Sequence, residues 1–350
     1  MPGKRVWFAP IVTAFVVLAT AATLLVVVAP VQAQLPFAAA ACGPADNRPP
    51  VAAADSATTY LTAPVTINVL ANDTDPDGNP LTVTSVTQPI KGSAVINGGQ
   101  TITFKPAAGS NGPVQFTYIV KDGAGGMASA TVDVMVTTLV LALGFDDGAG
   151  ATATDTSGLK NNAAMNGAKW AIEGRYGGGA AFTAASRTLL SVPSSGSLTL
   201  AQMTLEAWVK PTNLTGWRNV IFRSLTASGA DGVAYALYAN SATDGGPGVY
   251  VRPTGWASDQ HTAAAAMLTR GEWHHLAATY DGTVLRLYVD GAQAAKKNLS
   301  TPLRSSPRPL YVGGNPLWGE YFDGTLDDVR VYNRALSEIE ILTDMNTPVR

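Results

Sequence analysis

The feature that constrains this chain most is a two-residue rhythm. From residue 51 almost to the carboxy terminus, short runs of β-branched and aromatic residues alternate with polar ones and end in Gly, Pro, Asn or Asp. Val65-Thr-Ile67-Asn-Val69, Thr101-Ile-Thr-Phe104, Phe116-Thr-Tyr118-Ile-Val120 and Ala130-Thr-Val132-Asp-Val134 all follow it. Alternation of this kind sends one face of a strand into a core and the other toward water. No helical period interrupts residues 51–137, so this segment is expected to be a small β-sandwich.

Strands continue beyond Leu139, with Thr204-Leu-Glu-Ala-Trp208, Ala234-Tyr-Ala-Leu-Tyr238, His275-Leu-Ala-Ala-Thr-Tyr280 and Val284-Leu-Arg-Leu-Tyr288 the clearest. Asp281-Gly282 and Asp290-Gly291 follow strands where residues tolerant of positive φ are needed, and both signal hairpins. Only the end reads as helical: Ser337-Glu-Ile-Glu340 is a capping box ahead of Ile341-Leu342. A long strand-rich segment closed by one short helix is expected to be a larger two-sheet jelly roll, which makes the chain all-β.

The amino terminus is different. Lys4 and Arg5 precede an apolar run from Val6 to Val28, and Val31-Gln-Ala33 reads as a small-residue cleavage signal. Residues 1–33 are therefore expected to be a signal peptide, or else a retained membrane anchor, since the run is long enough to cross a bilayer. Residues 34–50, rich in Ala and Pro, read as a linker ahead of domains at 51–137 and 138–346. Either reading of residues 1–33 places the remainder outside the cell, secreted or at the surface. The only membrane contact expected is through that segment, if it is uncleaved.

Composition excludes several functions. The net charge is −2 and only 14% of residues are charged, so no basic field exists to hold a nucleic acid. The single cysteine, Cys42, permits neither an internal disulfide nor a cysteine-based zinc site. No Gly-x-Ser-x-Gly elbow occurs, and none of the six glutamates lies in the E-x-D-x-x-E spacing that would set two carboxylates about one glycosidic bond. The expectation is a protein without catalytic activity; a glycoside hydrolase or lyase with an unusual site is the weakest alternative.

Two resemblances rest on particular residues. Asn47-Arg-Pro-Pro-Val-Ala, Val69-Leu-Ala-Asn-Asp-Thr-Asp-Pro-Asp-Gly and Tyr118-Ile-Val-Lys-Asp-Gly resemble the bacterial cadherin-like, Ig-like domains that serve as spacers in exported proteins. Leu143-Gly-Phe-Asp-Asp-Gly148, Asp155-Thr-Ser-Gly158, Trp273-His-His-Leu-Ala277 and the closing run Phe322-Asp-Gly-Thr-Leu-Asp-Asp-Val-Arg-Val-Tyr-Asn-Arg-Ala-Leu-Ser337 resemble the LamG-like jelly rolls of the concanavalin A-like lectin/glucanase superfamily. That resemblance implies a structural calcium held by Asp155 and Asn161 from one loop and by Asp327 or Asp328 from the closing strand. Adjacent strand residues point to opposite faces, so one of the last two is expected to be the ligand. The rival reading is a hydrogen-bonded loop with no metal.

Asp73, Asp75, Asp77 and Gly78 also reproduce the first half of a calcium loop, but Thr84 stands where the closing carboxylate belongs. A polar inter-strand turn is the competing account.

Candidate ligand contacts are aromatic. Trp217, Tyr250, Trp256, Trp318 and Tyr321 lie in or beside Gly- and Pro-rich segments, where flat rings suit the apolar faces of sugars. Trp208 and Trp273, in strand motifs, are expected in the core. The function implied is a carbohydrate-binding head on an Ig-like spacer, with adhesion to a cell-surface or matrix protein as the alternative.

Overall fold

The computed structural model describes residues 46–60, 63–108 and 110–350. The signal or anchor segment, most of the linker and Cys42 lie outside them. Among the described residues, no helix is long and apolar enough to cross a membrane.

The first body is a seven-stranded sandwich. One sheet runs Asp55–Tyr60, Met127–Thr137, Gly112–Lys121, Thr82–Val86; the other runs Val65–Ile67, Thr101–Pro106, Gly92–Asn97. The edge strand Asp55–Tyr60 pairs parallel to Met127–Thr137, and the other pairs are antiparallel. Alternation carries Ile102, Phe104, Phe116, Tyr118, Val120, Val132, Val134 and Val136 into one core. Tyr118 is fully buried because its hydroxyl is satisfied, donating toward the Asp73 carboxylate, 3.0 Å from each oxygen.

The second body is two large sheets face to face. The eight-stranded sheet has the order Gln260–Ala263, Gly248–Val251, Val233–Asn240, Arg218–Ser224, Leu310–Val312, Leu189–Val192, Ala163–Asn166, Thr152–Ala153. Its partner has the order Lys169–Ala171, Gly179–Phe182, Gly324–Tyr332, Met203–Pro211, His274–Tyr280, Val284–Val289, Ala292–Asn298. Gly324–Tyr332 is central: its first residues pair with Gly179–Phe182, and its last pair with Leu139–Leu143 on the same edge. The interlayer is apolar, with Leu141, Leu143, Leu205, Ile221, Leu237, Leu276, Leu287, Val312 and Val331 fully buried. Asp290 and Gly291 both have positive φ, as the Asp-Gly hairpin reading required.

The two bodies adjoin closely. Thr138 alone separates strand Met127–Thr137 from Leu139–Leu143. Tyr60 of the small sandwich packs against the jelly-roll core, and Gly158 leaves room for Thr58. A depression of about 560 Å³ between them is lined by residues such as Ser56, Met135 and Lys160. The end of the Pro-rich stretch is also fixed. The Arg48 guanidinium donates twice to Asp77 Oδ1 and its backbone N–H donates to Oδ2, and Asn47 donates to Asp122 at 2.6 Å.

Candidate functional site

The outer faces of the two large sheets have unlike surroundings. On the sheet built around Gly324–Tyr332 the helix Glu338–Met345 lies across the outside, capped by Ser337 and Glu340 as its sequence indicated. Ile341 is fully buried there, in a cluster with Ala277, Tyr288 and Tyr332. Beneath this cover are groups that alternation alone would send to water. Glu206 and His275 are fully buried, and no polar atom of either side chain finds a partner. Burial, aided by the nearby Asp344 carboxylate, raises Glu206 well above the ordinary carboxylate range. Burial and Arg330 push His275 down to about 3, so its ring is neutral. Trp208 is buried on this face, with the Arg175 guanidinium 4.5 Å from its ring centre, not between the sheets. Trp273 is only half-buried, contrary to its expected core position, with Lys210 Nζ 6.0 Å from its ring centre.

The eight-stranded sheet has an aromatic outer face whose packed cluster includes no residue of a described helix. Phe222, Val233, Ala236 and Tyr238 form a buried cluster on this side, separate from the interlayer core, and the partly buried Trp217, Tyr250, Tyr311 and Leu317 pack over them. Trp217 meets Tyr238 and Tyr250 edge-on, at 5.1 and 5.6 Å between ring centres. Tyr250 stacks on His261, opposite it on the neighbouring strand, at 4.8 Å and 9°. Trp318, 42% exposed, stands edge-on to Phe222.

Polar groups rim these rings. Tyr238 and Asn315 both donate to Glu320 Oε2, at 2.8 and 3.0 Å. Burial raises Glu320 above its usual value while those two donors oppose the shift. The Tyr250 hydroxyl lies 3.2 Å from Asp244 Oδ2, and Ser241 reaches the same oxygen at 2.9 Å. Burial pushes the Tyr250 phenol up to about 12, which keeps it a neutral donor. Half-buried rings framed by fixed carboxylates, amides and hydroxyls can stack on apolar C–H faces and hydrogen-bond to hydroxyls.

The five aromatics singled out from sequence therefore divide. Trp217, Tyr250 and Trp318 share this face. Tyr321 does not: it is buried beside Gly314, with which its strand pairs, and Arg218 donates to its backbone carbonyl at 3.0 Å. Trp256 is half-buried in a separate loop whose Arg252 and Asp259 form an ion pair at 2.7 Å. Sequence reading gave no role to Tyr238, Phe222, Tyr311 and His261. Their pairing with Trp217, Trp318 and Tyr250 is the signal they lacked.

The expected calcium ligands do not assemble. Among the described residues, no group of three or more His, Cys, Asp or Glu side chains is placed to hold a metal ion. Asp155 already accepts four hydrogen bonds, from the backbones of Ala142, Ser157 and Asn161 and from the Ser157 hydroxyl, all within 3.0 Å. Asn161 spends its amide on Val140 and Ser197 and its oxygen on Ser195.

Asp327 accepts from the backbones of Arg175, Tyr176 and Asp328, while Asp328 faces Arg330 and Val349. Their expected division between opposite faces also fails. Asp328 has a positive φ of 47° beside a register shift, and both residues are fully buried. N–H donors occupy the positions a cation would take, so this donor set does not suit calcium. In the small sandwich Asp73 serves Tyr118 and Ala53, Asp75 serves its own turn, and Asp77 serves Arg48, so these three diverge.

Comparison with known proteins agrees with the architecture. Residues 184–342 match the family model described as the concanavalin A-like lectin/glucanases superfamily, and residues 47–135 match the bacterial Ig domain. The chain is similar to pappalysin-1 of Mus musculus, 37% identical over 82 residues, and to that of Homo sapiens, 38% identical over 82 residues. Those residues make up 22% of this chain and 5% of either relative. Among solved structures it is similar to domain 4 of a GH43 extracellular arabinanase from Geobacillus stearothermophilus, in complex with arabinotriose. There the TM-score is 0.50 at 19% identity, over 59% of this chain and 98% of that one. The binding domain of Paraclostridial Mosquitocidal Protein 1 gives a TM-score of 0.48 at 16% identity, over 60% of this chain and 52% of that one.

Proposed function

We propose that this chain is an exported, non-catalytic binding protein whose jelly roll takes carbohydrate on the open aromatic face of the eight-stranded sheet. The observation that carries the reading is the half-buried cluster of Trp217, Tyr250 and His261, seated on the buried Tyr238 and edged by Asp244 and Glu320. Sugars present apolar C–H faces and a ring of hydroxyls, and this surface offers a partner for each. The lectin-like jelly-roll match supports a binding role. The likeness to an arabinanase domain solved with arabinotriose supplies a first probe. The Ig-like body acts as a spacer in this reading, and residues 1–33 direct export. Glu320 Oε2 is committed to Tyr238 and Asn315, which suits a fixed acceptor better than an acid–base group.

A glycan array that includes arabino-oligosaccharides, run on the intact chain beside Trp217→Ala, tests the proposal. Binding by the intact chain that the variant loses while keeping its fold is expected. Retention on matrix proteins with a silent array would reassign the face to adhesion, and steady release of reducing sugar would overturn the non-catalytic reading.

A further inference from the structure

A buried cation without a carboxylate lies at one end of the jelly roll, away from the aromatic face. Arg223 is fully buried on strand Arg218–Ser224. It follows Phe222, which points outward, and its side chain turns inward to the layer of Tyr235. The guanidinium donates to the carbonyls of Arg308 at 2.9 Å, Ser306 at 2.7 Å and Leu198. It also reaches the hydroxyls of Ser194 at 3.2 Å and Tyr235 at 3.5 Å. Every one of these acceptors is neutral, and among the described residues no carboxylate pairs with it. An arginine stays charged at any ordinary pH, and buried charges are as a rule paired. Carbonyl dipoles solvate this one without neutralising it.

The surface outside Arg223 is lined largely by hydroxyl-bearing residues, with no acid among them. A depression of about 490 Å³ is lined by Ser194, Ser195, Gly196, Thr199, Ser305 and Ser306, together with Pro307. Ser194 links the two. Its oxygen accepts from Arg223, so its own proton is left to point elsewhere, and Ser194 lines the depression. Ser305 is exposed at the same rim. Ser195 and Ser306 are already used, toward Asn161 and toward the Ser224 carbonyl. A hydroxyl polarised by a charge behind it is a stronger donor than a free one.

We propose that this depression binds an oxyanion, with Ser194 and Ser305 donating to it and Arg223 supplying the opposing charge from beneath. The shared chemistry is a sulfate, phosphate or carboxylate group, either free in solution or carried on an acidic sugar.

The test is calorimetric titration of the intact chain with sodium sulfate at ionic strength held constant by sodium chloride. Parallel titrations use inorganic phosphate, glucuronate and a sulfated oligosaccharide. Saturable binding that weakens about tenfold in Ser194→Ala, the loss of one hydrogen bond to a charged group, is the expected result. Tighter binding of the oligosaccharide than of sulfate assigns the site to acidic glycans, and equal binding assigns it to free anions. Ser194→Asp, which places a carboxylate beside the guanidinium, is expected to abolish sulfate binding and raise Tm. No binding by any of the four probes would overturn the proposal, as would binding that both Ser194 variants leave unchanged.

Discussion

The two outer faces of the jelly roll carry similar inventories, yet one is closed and the other open. Both have aromatic rings, carboxyl groups and a histidine. On the sheet built around Gly324–Tyr332 the helix Glu338–Met345 covers them, and the result is a fully buried Glu206 and His275 with no hydrogen-bond partners. On the eight-stranded sheet the buried hydroxyls of Tyr238 and Ser241 are instead satisfied, by the carboxylates of Glu320 and Asp244, which reach the surface. Polar groups paired with one another cost little stability. Polar groups left orphaned under a cover cost stability and persist only because the cover's packing outweighs them. One face is therefore a structural joint and the other is the binding surface proposed here.

The strongest way to break this contrast is to loosen the cover. Ile341→Ala removes a fully buried side chain that packs the helix against Ala277 and Tyr332, and is expected to cost about 2–5 kcal/mol of stability by denaturant unfolding. Glycan affinity at a temperature where the variant stays folded should not change. A matching loss of affinity would mean the two faces are not independent.

On the open face the pattern reverses. Trp217→Ala should lower affinity by roughly 30-fold, as loss of an aromatic anchor does, with only a small change in Tm because the ring is half-exposed. A large fall in Tm without any change in affinity would make this cluster structural too.

The pH dependence of stability sharpens the account of the covered face. Native Glu206 keeps its proton above pH 4.5, where the unfolded chain releases it, so this residue lowers stability as pH rises from there. Glu206→Gln removes that slope, and its advantage over the parent should grow with pH by at most about 1.4 kcal/mol per unit. His275 acts in the opposite direction. Its native ring stays neutral down to about pH 3, whereas the unfolded ring protonates near 6.5, so stability falls as pH drops through that window. His275→Gln should flatten that fall. Parallel stability curves for variant and parent would show that neither group is perturbed.

The smallest effect is expected from metal removal. Asp155 and Asp327 are filled by protein donors, so excess EDTA should leave Tm unchanged in calcium-containing buffer. A drop in Tm would restore the calcium reading.

Much of this was legible in the sequence, for identifiable reasons. Asp290-Gly291 announced its hairpin and Ser337 with Glu340 its helix cap, because both signals are local. Trp217, Tyr250 and Trp318 were found because they sit near turns. Tyr238 was not, since every residue of Val233–Asn240 is buried and the strand shows no polar face from which to read direction. Glu206 alternates correctly to the outside, but its cover comes from residues more than a hundred positions later, which no strand pattern reveals. Asp327 and Asp328 misled because alternation stops where Asp328 takes a positive φ.

Hydrogen exchange of the intact chain, with and without a glycan selected on the array, addresses the central contrast most directly. The account predicts new protection along Arg218–Ser224, Val233–Asn240 and Gly248–Val251 and none under the helix Glu338–Met345. Protection confined to the helix-covered sheet, with the aromatic strands unaltered, would contradict it.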